Sequence, residues 1–163
     1  MTDLGWIHMY FAFTAIASGA IVVLRRKGTM SHRRIGYAYV ISMIGLNVTA
    51  LMIYRLTGYF GPFHGAAIVS LATILAGAVV AIRRRPDWVR KHYLWMTYSY
   101  VGLLAATASE VLTRIPSAPF WGVVALASIA VFVVGARVIR RKEHASIAPF
   151  AQTSSAPRAP LFG

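Results

Sequence analysis

A chain of 163 residues that is 58% hydrophobic and only 13% charged lacks the polar surface a soluble domain of this size needs, and its mean hydropathy of +0.62 agrees. The formal charge of +13 sits in short clusters between apolar runs, as topology signals do, rather than across a polar domain with base-stacking aromatics, so nucleic acid is excluded as a partner. With no cysteine there are no disulfides, thiolate metal sites, iron–sulfur clusters or thiol nucleophiles.

The first apolar run, about 5–24, opens with "LGWIHMYFAF" behind Asp3 and is followed by Arg25, Arg26 and Lys27. That order of charges predicts an uncleaved first helix with its amino end outside, not a secretory leader. Four more apolar segments follow at about 35–56, 63–82, 93–113 and 119–139, each near the 20 residues that cross the hydrocarbon layer. The expected fold is therefore all-α: one transmembrane helical bundle over residues 1–143 with five spans. Loops one and three and the flank after the last run carry almost all the Lys and Arg, whereas loops two and four offer only Arg55 and Arg114. Positive charge marks the cytoplasmic side, so the expectation is an outer amino terminus, an inner carboxyl terminus and anionic lipids around the inner face. The expected location is a bacterial inner membrane. Residues 144–163, rich in Ala, Pro and Ser, are expected to form a disordered cytoplasmic tail.

Against this apolar background the polar residues stand out. Counted from the outer boundary, His8 in the first helix, His64 in the third and Glu110 in the fourth fall in one layer. Glu110 is the only acidic residue inside an expected span, and an unpaired charge at mid-helix costs about 2.5–3.5 kcal/mol. Such a layer predicts a cofactor site: His8, His64 and Glu110 as ligands of Zn, Cu or Fe, or the two histidines as axial ligands of haem b. Arg55 and Arg114 are then partners for propionates or for Glu110. The bland alternative makes Glu110–Arg an ion pair and the histidines interfacial. Toward the inner face, His32 and His92 share a second depth and could hold a second haem or metal, but neighbouring cations disfavour a bound cation and suit anionic lipid headgroups better.

The stretches "HRRIGYAYV", "YFGPFHGAAIVSLATILAG" and "RRRPDWVRKHYLWMTYSYVGLLAATASEVL" together resemble a family of small bacterial membrane proteins classed as a domain of unknown function. The resemblance covers about residues 5–115. It implies a polytopic membrane fold and draws attention to His32, His64 and His92 without naming a reaction.

The leading functional expectation is a haem- or metal-binding membrane protein, redox-active through a quinone or periplasmic partner. Three alternatives stand beside it: a proton, ion or solute transporter that uses Glu110, for which a chain this short must oligomerise; a zinc-dependent membrane hydrolase; and a non-catalytic subunit of a larger membrane complex.

Overall fold

The computed structural model describes residues 2–54, 58–115 and 119–154, with side chains as far as Phe150. These form five helices: α1 (Asp3–Leu24), α2 (Met30–Met52), α3 (Pro62–Arg83), α4 (Trp88–Leu112) and α5 (Phe120–Ser154). Local chemistry sets their ends. Thr29 accepts a hydrogen bond from the His32 backbone N–H at 3.1 Å, so α2 starts at Met30, five residues before its apolar run. Gly28 supplies the left-handed turn ahead of it (φ 81°). Pro62 occupies the first turn of α3, where a missing N–H costs nothing. Arg84 and Asp87, both left-handed, make the elbow between α3 and α4, and the Arg84 guanidinium lies 5.5 Å over the Trp88 ring.

Consecutive helices run in alternating directions. α1 packs on α2, α2 on α3, α3 on α4 and α4 back on α1, closing a four-helix ring; α5 lies outside it, against α4. Among the described residues the diagonal pairs α1/α3 and α2/α4 do not approach backbone to backbone. Ala15, Tyr39, Met43, Leu46, Ile74 and Leu103 fill the middle of the ring. Glycines admit aromatic rings there: a Cβ on Gly19 would sit 2.5 Å from Tyr100, and one on Gly45 would sit 2.6 Å from Phe11.

Four of the five helices, α1, α2, α3 and α5, are long and apolar enough to cross a membrane. α4 is not among them, though its 25 residues extend about 37 Å at 1.5 Å each. Its hydroxyls explain the difference, and the bundle satisfies them. Tyr39 and Ser99 hydroxyls meet at 2.8 Å, Tyr100 donates to the Ile16 carbonyl at 3.3 Å, and Ser109 meets Ser128 at 3.3 Å. Thr97 and Thr107 donate to carbonyls four residues back on α4 itself.

The fifth helix corrects one expectation. Residues 144–154, read as part of a disordered tail, continue α5; residues 155–163 lie outside the described residues. The stretch "RRKEHASIA" holds strong helix formers and no breaker before Pro149. Tertiary contacts hold it as well: Glu143 accepts from Arg90 Nε at 2.7 Å, and the Phe150 ring lies over Gly28, about where a Cβ on that residue would be 3.1 Å away.

Candidate functional site

Each of α1 to α4 carries one histidine. Because the helices alternate in direction, His8 of α1 and His64 of α3 lie at the end of the bundle bearing the α2–α3 and α4–α5 loops, hereafter the aromatic end. His32 of α2 and His92 of α4 lie at the opposite, basic end. In each layer the two residues come from diagonal helices. The layers are about 25 Å apart, counting the rise along α2 from Thr49, which contacts His8, to His32. Each expected pair therefore lies at one end of the bundle.

At the aromatic end the expected three-residue set is not gathered. His8 Nδ1 lies 3.0 Å from Thr49 Oγ1, whose own proton goes to carbonyls of α2, so His8 Nδ1 is the donor and its Nε2 holds the lone pair. His64 has the opposite tautomer. Its Nδ1 accepts from the Gly61 backbone N–H at 3.1 Å, which places the proton on Nε2. The ring thus closes the first turn of α3 as a capping side chain, with the Tyr54 and Phe60 rings tilted against it at 4.6 Å and 5.0 Å. Metals bind lone pairs, so Nε2 of His64 is no ligand while this cap is intact. Glu110 is turned outward, its side chain 63% exposed, and accepts from Arg114 at 3.1 Å. It acts on His8 only through its field. Arg55, the other expected partner, lies outside the described residues. Among the described residues no group of three His, Asp or Glu is placed to hold a metal ion.

The basic end differs. His92 Nδ1 lies 2.9 Å from the Gly77 carbonyl oxygen of α3. A carbonyl only accepts, so the proton is on Nδ1 and Nε2 carries the lone pair. Gly77 allows this because any Cβ there would meet Met96 Sδ at 2.7 Å and Trp95 Cβ at 3.2 Å. His32 lies within electrostatic reach of His92, and its Nδ1 is buried with no hydrogen-bond partner among the described residues. One turn further along α2, Gly36 leaves open space: a Cβ there meets nothing within 4 Å. Lys27 borders the pair, donating to the Val23 carbonyl at 2.9 Å. Burial, with Lys142 close by, pushes its ammonium below the ordinary 10.5. A groove of about 200 Å³ at the α3–α4 elbow, walled by Arg83, Arg85, Trp88 and Lys91, adds to the positive collar.

Sequence reasoning named the histidines of α1 to α4 and put His8 and His64 first; the structure leaves that outer set ungathered. The Gly77 carbonyl that sets the His92 tautomer is a backbone atom, and only the small residue facing "HYLWM" hinted at it. The capping role of His64 was legible in "GPFH", where a polar side chain stands three residues after a helix-starting Gly.

Residues 5–142 match the profile of a family described as predicted membrane protein (DUF2306), and the chain belongs to that family. No curated protein and no solved structure matches the chain.

Proposed function

We propose that this family member carries a haem b at its basic end, which His32 and His92 would hold, and serves as a one-electron carrier in a bacterial inner membrane. The reading includes α4 as a fifth span and puts the basic end on the cytoplasmic side, following the positive-inside rule. The observation that carries it is the hydrogen bond from His92 Nδ1 to the Gly77 carbonyl. Metal-bound imidazoles nearly always give their other N–H to a carbonyl or carboxylate, which fixes ring orientation and raises basicity. Here that arrangement stands beside a second imidazole with an unsatisfied buried nitrogen and open space at Gly36. The free lone pair of His92 and the unpartnered nitrogen of His32 support a bis-imidazole ligand set.

Charge decides between haem and a bare cation. At an effective dielectric constant of about 20, a unit charge about 8 Å away contributes about 2 kcal/mol. Lys27, with Lys142 close to it, would repel a divalent ion by that order but attract two propionates by the same order. The collar suits anionic lipid headgroups for the same reason. Haem when bound supplies one-electron chemistry. The chain's own part is to hold two neutral imidazoles, to neutralise the propionates and to exclude water with Tyr39, Met96 and Tyr100.

The test is an absorption spectrum of the full chain, purified in mild detergent after expression with haem supplied, together with elemental analysis. A Soret band that is lost in His32→Ala and His92→Ala and kept in His8→Ala is expected. No Soret band in the wild type, or one that depends on His8 and His64 instead, removes the reading.

A further inference from the structure

The haem reading leaves His64 unused, although it is 4% exposed and the most buried of the histidines. Its Nδ1 is occupied by the Gly61 N–H, so its Nε2 is a donor, and that buried donor has no partner among the described residues. Leaving such a group unsatisfied is costly, and the surroundings point to what would satisfy it. It sits in the first turn of a 22-residue helix, whose end is electropositive and favours an acceptor. Its ring lies tilted against Tyr54 and Phe60, both about half exposed at the edge of the bundle. A second aromatic group adjoins it, with Phe63 stacked on Trp121 at 6.3 Å. Gly65, next in sequence, leaves open space where a side chain would be.

We propose that the first turn of α3 binds a quinone head group taken from the bilayer, one carbonyl oxygen accepting a hydrogen bond from His64 Nε2 and the flat ring lying against Tyr54 and Phe60. A neutral acceptor fits better than an anion, because Arg114, the cation described at this end, is already engaged by Glu110. A planar ring fits better than a lipid ester carbonyl, because Tyr54 and Phe60 offer it aromatic faces. The site is independent of the haem reading and lies about 25 Å from the basic-end histidines along the bundle.

The experiment measures binding of a radiolabelled short-chain quinone to the full chain in nanodiscs, for wild type, His64→Leu and His64→Gln. Glutamine at this position keeps both functions, since its carbonyl can cap Gly61 and its amide can donate. Saturable binding is expected in the wild type, weakened about tenfold in His64→Leu and changed less than about threefold in His64→Gln. An analogue of the same size with no carbonyl oxygen should not compete. Absence of saturable wild-type binding, equal affinity in His64→Leu, or competition by the carbonyl-free analogue overturns the site. So does an Nε2 proton that NMR shows hydrogen-bonded in ester-lipid discs without quinone and released in ether-lipid discs, which assigns the acceptor to a lipid carbonyl. The Soret band, read in the same samples, is expected to be unchanged by either variant, so this proposal and the haem reading can fail separately.

Discussion

Both ends of the bundle hold one histidine from each of two diagonal helices, yet the two ends use them differently. At the basic end His32 lies within electrostatic reach of His92, and the Gly77 carbonyl leaves His92 with a lone pair to offer. At the aromatic end His8 is held by α2, His64 is folded into its own helix cap, and Glu110 faces outward to Arg114. Equal depth in the membrane is thus not a shared site. Depth follows from counting residues, whereas a site also requires side chains to point at one another with complementary protons.

The sharpest way to break this contrast is Gly77→Ala. The added methyl would meet Met96 Sδ at 2.7 Å and Trp95 Cβ at 3.2 Å; the thioether can swing away, but the tryptophan Cβ is fixed to α4. α3 and α4 must therefore part, taking the Gly77 carbonyl away from His92. Haem affinity should fall on the order of 10- to 100-fold, as for loss of an outer-shell partner, and overpacking should cost about 1–3 kcal/mol of stability. Haem titration with a thermal melt checks both. Unchanged affinity in a destabilised protein would detach the carbonyl from the ligand role. At the aromatic end the matching change, Gly65→Ala, meets nothing within 4 Å and should leave haem content and melting temperature unaltered.

A smaller effect is expected midway between the ends. Tyr39 and Ser99 share a hydrogen bond at 2.8 Å, and burial raises no conflict because both also lie among apolar neighbours that exclude water. Tyr39→Phe leaves Ser99 its bond to the Met96 carbonyl, so no group is orphaned. The loss should be about 0.6 kcal/mol, the average for interhelical hydrogen bonds in a membrane protein, and at most about 1.7 kcal/mol. A lowered melting temperature with an unshifted Soret band would show that this layer joins the two ends mechanically and takes no part in the chemistry of either.

The helices, and which histidine shares a depth with which, were legible because lipid imposes long apolar runs and charged boundaries. The azimuth of each side chain was not. Residues turn by about 100° per position, so Glu110 and Ser109 are neighbours in sequence while one is exposed and the other 2% exposed. The polarity of α4 read as an ordinary span because nothing in a single segment tells that Ser99 and Tyr100 find partners on α2 and α1. The prolongation of α5 escaped notice for a related reason: the Ala, Pro and Ser composition of the whole tail masked a helical first half anchored by Glu143 and Phe150.

A smaller effect still should come from Glu110→Gln, which tests the aromatic end where the sequence made it most suspect. The carboxylate and its Arg114 partner are 63% and 72% exposed and four residues apart on one helix. Exposed pairs of this spacing are worth about 0.3–0.5 kcal/mol, and water or headgroups replace what is lost. Stability should therefore change by no more than about 0.5 kcal/mol, with haem content untouched. A transporter with Glu110 in its path predicts the reverse: proteoliposome flux present in the wild type and abolished in Glu110→Gln. That result would restore the carboxylate as a functional group. It would also require a conformation in which the carboxylate leaves Arg114 and turns inward, toward His8, on which its field already acts.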